Sequence, residues 1–326
     1  MPLISIIIPV YNASEFILNT LSFLELQSYK NFEIILINDG STDNSLEILK
    51  EFQRKNSNTI IYNQNNKGVS AARNKGIELS NGKFIAFLDS DDYFSPYFLE
   101  KMLLRQKETN ADLIYCGYNR INFSGKIQPM PCHFNEGNIL IDYLDKKGYF
   151  HFSGMLINKK ILIDNSINFE INYDIAEDLF FTVKLLTNFQ CFCIKEHLFN
   201  YVQRTNSVMS SPWTQNNWLN DINVRRDILS YLIKNYNKDD KEKVLKLASI
   251  SIFLREISYL IDCIKNFKYK EIKNYIKETD FFAKEKYIEK INFNKKDRKK
   301  FLIIRKNNHI IWYFYTLYYR FFRFRL

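Results

Sequence analysis

Residues 84–92 read Phe-Ile-Ala-Phe-Leu-Asp-Ser-Asp-Asp, an apolar run that passes directly into three carboxylates. Two of them, Asp89 and Asp91, have the spacing Asp-x-Asp. On an extended chain residues i and i+2 point to one side, so this spacing predicts that both side chains approach a single cation. Asp92 points the other way and is placed to cap the segment that begins at Tyr93. Hard divalent cations such as Mg²⁺ or Mn²⁺ take one or two protein carboxylates and draw further ligands from substrate phosphates. The cluster therefore points to a phosphorylated substrate. Alone it is weakly specific, since 36 acidic residues in 326 positions produce roughly four such pairs by chance. Its place in the chain gives it weight.

Residues 5–10 (Ser-Ile-Ile-Ile-Pro-Val) form a short β-branched run ending in Tyr11-Asn12, and a helical pattern follows over 15–27. The arrangement repeats: a strand over 32–38, a turn at Asp39-Gly40-Ser41-Thr42-Asp43, and a helix over 45–55. A third strand is predicted over 59–63, a helix entered through glycine over 68–79, and a strand over 84–88. Alternating strands and helices with near-continuous apolar strands indicate a parallel sheet covered on both faces. Ligands of such sheets bind beyond the carboxyl ends of the strands. Tyr11-Asn12, Asp39-Gly40-Ser41 and Asp89-Ser90-Asp91 all fall there, so one crevice collects all three.

Four segments together resemble the successive signatures of glycosyltransferase family 2: 5–12 (Ser-Ile-Ile-Ile-Pro-Val-Tyr-Asn), 38–43 (Asn-Asp-Gly-Ser-Thr-Asp), 68–76 (Gly-Val-Ser-Ala-Ala-Arg-Asn-Lys-Gly) and 88–92 (Leu-Asp-Ser-Asp-Asp). The resemblance implies an α/β GT-A fold, a nucleotide-sugar donor with UDP favoured over GDP, a Mn²⁺ or Mg²⁺ ion, and inversion at the anomeric carbon. It assigns Pro9, Tyr11 and Asp39 to the base and ribose, which suits an aromatic face and a hydrogen-bond-accepting carboxylate. The residues read alone leave Tyr11 as a packed turn aromatic and Asp39-Gly40 as a simple turn. Asp43 reads as a helix cap or turn residue. Arg73 resembles the family's arginine that approaches the nucleotide, with an internal salt bridge to Asp39 or Asp89 as its alternative role. Asp91 is implied as the metal ligand, with Asp89 near the ribose or sharing the metal.

Further along, Glu177-Asp178 resembles the family's Glu-Asp pair ahead of an acceptor-side helix. By that resemblance Asp178 is the general base that accepts the acceptor hydroxyl proton, and Glu177 a structural or acceptor-binding partner. Acids at a helix start also complement the macrodipole without doing chemistry. Arg204 and Ser207 resemble an Arg-x-x-Ser segment that contacts the donor diphosphate. An ordinary polar loop is the alternative there. His151 and Phe152 read equally as sugar contacts or core, and His197 as a surface or packing residue.

With 46% hydrophobic residues the chain has enough apolar side chains for a sizeable core. The reading divides it into a catalytic domain over 1–212, with nucleotide-sugar binding in 1–100 and the acceptor side in 101–212, and a mainly helical region over 213–326. Strands are predicted over 113–118 and 150–157. Five cysteines show no disulfide framework or zinc spacing and read as buried thiols. No signal peptide or lipidation motif is recognised at the start. The net charge of +10 concentrates at the end, where 295–326 holds ten Lys or Arg against one Asp, interleaved from Trp312 on with nine aromatics. Its apolar run is too short to span a bilayer, which needs roughly 20 residues. Basic and aromatic residues together suit an anionic membrane surface, with packing on protein or a homo-oligomer contact as the alternative.

The expected protein is a metal-dependent glycosyltransferase of bacterial surface polysaccharide synthesis, cytoplasmic and held at the inner face of the plasma membrane. Its acceptor is a glycan or lipid-linked oligosaccharide. A noncatalytic nucleotide-sugar-binding paralogue is the second reading. Nucleic-acid binding, suggested by the charge, explains fewer residues, and a sugar nucleotidyltransferase lacks its Gly-rich phosphate loop.

Overall fold

The structure is a computed structural model that describes residues 2–145, 150–173, 175–204, 212–283 and 295–322. The chain divides into two compact units, Met1–Pro212 and Trp213–Leu326.

In the first unit, β1 (Ile4–Val10), β2 (Phe32–Asp39), β3 (Thr59–Gln64) and β4 (Phe84–Phe87) pair in parallel in the spatial order β3-β2-β1-β4. The connections run through α1 (Ile17–Glu25), α2 (Ser45–Lys55) and α3 (Val69–Leu79). Every residue of β1 is buried, as a continuous apolar strand must be when both sheet faces are covered. Ile4, Ile6 and Ile8 share one core with Leu21 and Leu24 of α1 and Leu49 of α2. At Gly76 a Cβ would stand 2.2 Å from Cγ2 of Ile7. The missing side chain lets α3 press directly on β1, and Arg73, one turn earlier on the same helix face, is carried to the strand ends.

The chain continues through β5 (Tyr93–Phe94), α4 (Phe98–Thr109), β6 (Leu113–Ile121), β7 (Ile127–Pro129), α5 (Leu140–Leu144), β8 (Met155–Asn158), α6 (Lys159–Asp164), α7 (Glu177–Asn188) and β9 (Cys191–Val202). These extend the sheet past β4 in the order β8-β6-β9-β5, with β7 on β6. The pairing here is mixed: β4–β8, β8–β6 and β9–β5 are antiparallel, and β6–β9 is parallel.

Two expectations are corrected. Residues 150–157 are not one strand: a 3₁₀ turn at Phe152–Gly154, capped by the His151 side chain accepting from Ser153 N, precedes β8. Nor is the acidic cluster extended. Asp92 N donates to Asp89 O at 3.1 Å, so residues 89–92 form a turn, and strand alternation does not set the directions of their side chains. All five cysteines are free, and all but Cys132 are buried.

The second unit consists, among the described residues, of α8 (Gln215–Asn235), α9 (Lys241–Lys265), α10 (Tyr269–Glu278), α11 (Lys295–Arg305) and α12 (His309–Phe322). Ile252, Phe253, Ile257 and Leu260 of α9 form a core with Phe301 of α11 and Trp312 of α12. Its buried carboxylates are paired: Arg225 and Arg255 meet Asp221, and Arg226 meets Glu256. On α12, Trp312 and Thr316 face inward, and the Thr316 hydroxyl donates to Ile264 O at 2.7 Å. Ile310, Phe314 and Tyr318, spaced by four, are exposed. Among the described residues no helix is long and apolar enough to cross a membrane.

Candidate active site

The loops beyond β1 and β2 are stitched together at the carboxyl ends of their strands. Asn12, at a positive φ of 48°, donates its N–H to the Ser41 hydroxyl at 3.1 Å and accepts from Thr42 N at 2.8 Å. Asp43 accepts from the N–H groups of Ser14 and Ser45, both at 3.0 Å, as the turn residue its sequence suggested. Burial raises the Asp43 carboxyl, but hydrogen bonds from Ser45 and Ser14 outweigh it and hold the group at about 2. Pro9 is buried within β1, whereas Tyr11 is 51% exposed just past its end, so its ring is open to a stacking partner.

Asp39 is buried and accepts three hydrogen bonds, from Gln64 Nε2 at 2.8 Å, Lys67 N at 2.8 Å and Gly68 N at 2.9 Å. It thus organises the entry to α3. At Gly40 (φ +71°) a Cβ would meet Asn66 N at 2.6 Å, so only glycine allows this approach.

Arg73 joins the two acidic motifs. One guanidinium nitrogen lies 2.7 Å from Asp89 and another 2.7 Å from Glu177. The group stands over the Phe152 and Phe169 rings, 4.6 and 5.2 Å from their centroids, a placement favourable for a cation. Burial alone would lower its pKa; the two carboxylates outweigh burial and raise it. Of the two alternatives at this residue, the salt bridge to Asp89 forms and that to Asp39 does not. Phe152, left open between sugar contact and core, is buried here.

Glu177 and Asp178 begin α7, preceded by Ala176 in the left-handed region at φ 63°. Burial pushes both carboxyls up. Asp178 adds to the rise at Glu177, while the Arg73 charge opposes it at both. Asp178 Oδ1 accepts from Leu179 N at 2.8 Å.

The remaining aspartates of the turn face β9. Asp91 forms an ion pair with Arg204, whose guanidinium lies 3.9 Å from the centroid of Phe16. Burial and then the neighbouring Asp89 raise the Asp91 carboxyl, against the pull of Arg204. Asp92 accepts from Val202 N at 2.8 Å through Oδ1, and its buried Oδ2 has no partner. Burial, then Asp91 and Asp89, push this carboxyl well up. Asp92 therefore fastens β9 to the acidic turn rather than capping the segment at Tyr93. Ser207 lies outside the described residues.

His151 stacks on Phe199 (4.8 Å) and Tyr201 (5.8 Å), and burial lowers its pKa to about 4, so it is neutral. His197 packs: its Nε2 is 2.9 Å from Met130 O and its ring meets Phe134 edge-on.

Among the described residues no group of three or more His, Cys, Asp or Glu is arranged to hold a metal. The donor chemistry still fits a hard divalent cation that completes its shell with phosphate oxygens. Asp89 and Asp91 are carboxylates of one turn; burial, and then the Asp89 charge, raise the Asp91 carboxyl, and a cation there would favour its charged form.

The roles of Phe16 and Phe169 carried no signal in the sequence, since neither lies in a motif. The Asp92–Val202 link spans 110 residues and was equally out of reach of local pattern.

A mixed sheet with this strand order, an acidic turn after its fourth strand and a second acidic pair opening a later helix define the GT-A architecture. S. aureus TarS residues 1–349, in complex with UDP-GlcNAc, superposes with a TM-score of 0.66 at 19% identity, covering 98% of this chain and 92% of that one. The mannosyltransferase PcManGT from Pyrobaculum calidifontis, in complex with GDP-Man and Mn²⁺, gives 0.58 at 14% identity, covering 97% and 87%. Residues 5–165 match the profile of Glycosyl transferase family 2, and the N-terminal unit belongs to that family. The poly(ribitol-phosphate) beta-glucosyltransferase of Bacillus spizizenii is 30% identical over 258 residues, 77% of this chain and 39% of that protein. The chain spans only 34%, 22% and 39% of three such curated relatives.

Proposed function

We propose that this protein is a metal-dependent, inverting glycosyltransferase that moves a sugar from a nucleotide donor, with UDP as the nucleotide, to a glycan or lipid-linked oligosaccharide of a bacterial surface polysaccharide. The observation that carries the reading is the Asp89–Arg73–Glu177 bridge, in which Arg73 pairs with Asp89 of the strand-end turn and, across 104 residues, with Glu177 at the start of α7. A donor-side carboxylate and a candidate base, Asp178, thereby share one site. The UDP-GlcNAc complex of TarS and the Mn²⁺ complex of PcManGT support the donor class and the metal.

In this reading Tyr11 stacks on the base, while Pro9 and Asp39 shape its pocket at the ends of β1 and β2. Arg73 orients Asp89 toward the ribose and reaches the nucleotide only through it. Asp91 and Asp89 would hold a Mn²⁺ or Mg²⁺ ion, whose chemistry there is to neutralise charge on the departing diphosphate. Arg204 meets that diphosphate from the end of β9. Asp178 accepts the proton of the acceptor hydroxyl as its oxygen bonds to the anomeric carbon. The bond from that carbon to the diphosphate breaks on the opposite face, and the diphosphate leaves with the electron pair. Glu177 stays paired with Arg73 and fixes the start of α7.

The test is nucleoside diphosphate release from a panel of UDP-, GDP- and TDP-sugars with Mn²⁺ and detergent-solubilised lipid-linked acceptors. Turnover of one donor that disappears in Asp91→Asn is the expected result. Nucleotide binding with no turnover on any donor or acceptor would favour the noncatalytic paralogue, and absence of binding would remove the assignment.

The outward face of α12 (Ile310, Phe314, Tyr318) completes the proposal as a contact with an anionic membrane, keeping the enzyme at the inner face of the plasma membrane. Its support is the ten Lys or Arg in 295–326, since each basic residue near such a surface contributes about 1 kcal/mol. Cosedimentation with vesicles containing 30–40% anionic lipid (roughly a charged bilayer surface) should fall on Phe314→Glu. A concentration-dependent dimer lost in the same variant would instead assign the face to a second copy.

A further inference from the structure

Arg204 and the acidic turn are connected twice. Its guanidinium pairs with Asp91, and two residues earlier Val202 N is fastened to Asp92 at 2.8 Å. The same turn that carries Asp91 therefore holds the strand that delivers its counter-ion. Phe16, just ahead of α1, supplies a platform 3.9 Å beneath the guanidinium, which fixes the plane of the group by stacking.

The pair is not built to be permanent. The exposed half is the arginine: Arg204 is 36% exposed against 4% for Arg73, while Asp91 is 14% exposed against 29% for Asp89. Its described ion pairing is to one carboxylate, and its buried Nε has no partner. A partly exposed pair of this kind adds little to stability, whereas a divalent cation brings twice the charge to the same oxygens.

We infer that Arg204 acts as an internal counter-ion that competes with a divalent cation for Asp91, and that its displacement hands the guanidinium to the diphosphate. The inference rests on the cation and nucleotide reading proposed above. It makes cation and nucleotide binding mutually reinforcing. The cation frees Arg204 from Asp91, and the diphosphate retains the freed arginine, so each ligand tightens the other by the same factor. Phe16 limits the motion by keeping the guanidinium stacked as it changes partner.

The test uses the full chain and two ligands, Mn²⁺ followed by electron paramagnetic resonance of the free ion, and UDP followed by calorimetry. In wild type, saturating UDP should tighten Mn²⁺ binding. In Arg204→Gln, Mn²⁺ alone should bind about three- to tenfold more tightly, and the tightening by UDP should shrink. Arg204→Lys, which keeps the charge and loses the planar fork, should fall between the two. Phe16→Leu should shift Mn²⁺ binding in the direction of Arg204→Gln by a smaller factor. Circular dichroism confirms that each variant is folded. Unchanged or weaker Mn²⁺ binding in Arg204→Gln would overturn the inference while leaving the cation site standing. If neither protein binds Mn²⁺ with or without UDP, the cation reading of the turn fails, and the inference with it.

Discussion

Arg73 and Arg204 meet neighbouring carboxylates of one turn, Asp89 and Asp91, under opposite conditions. Arg73 is buried over two aromatic rings, and two of its nitrogens are committed to carboxylates at 2.7 Å. Arg204 rests on one ring, is about one-third exposed and pairs with Asp91. In a low-dielectric setting, losing one partner leaves a charge that water cannot reach, so the Arg73 bridge resists change. In the half-open setting water and other ions substitute readily, so the Arg204 pair exchanges. One turn thus combines a fixed geometry on its Asp89 side with a replaceable charge on its Asp91 side.

The largest expected effect comes from breaking the fixed side. Arg73→Met leaves Asp89 and Glu177 without their shared cation, and thermal or urea unfolding should report a loss of about 3–5 kcal/mol. A loss below 1 kcal/mol or so would place Arg73 in the exchangeable class.

A sharper probe is the acid limb of the pH–rate profile. Burial raises the Asp178 carboxyl, and the Arg73 charge lowers it. A base with a raised pKa is ionised above that pKa and loses its function as pH falls through it. Transfer should therefore decline on the acid side at a pH above the ordinary carboxylate range. Arg73→Lys, which keeps a charge at lower precision, should move that limb further up. Arg204→Met should leave it in place, and kcat/KM against pH distinguishes the two.

The smallest effect is expected at the pair whose arginine is about one-third exposed. Arg204→Met should cost under about 1 kcal/mol of stability, although nucleotide affinity falls. A stability loss as large as that of Arg73→Met would erase the contrast.

The clusters at the strand ends are legible in the sequence because their signals are local. Each strand ends within a few residues of its polar cluster, so Tyr11, Asp39 and Asp89 could be placed from spacing alone, and α2 was predicted with its observed bounds, Ser45–Lys55. What escaped is long-range or conformational. The Asp89 pair of Arg73 is one of the partners its sequence position suggests, whereas Glu177 lies 104 positions away and no local pattern points to it. The turn at 89–92 was read as extended because alternation is assumed wherever an apolar run leads in. Residues 150–157 looked like one strand because their composition is apolar throughout, while the capping bond from Ser153 to His151 is invisible to periodicity. β9 is broken in its middle by Lys195-Glu196-His197, so its sequence does not read as one apolar strand.

The central claim is that Asp178 takes the acceptor proton in a site whose donor side is independently formed. The most direct measurement is donor binding and sugar transfer in Asp178→Asn beside wild type. Binding of the nucleotide sugar within about twofold of wild type, with transfer reduced about 10²–10⁴-fold, is the predicted result. Transfer near the wild-type rate would contradict it and remove Asp178 from the chemistry.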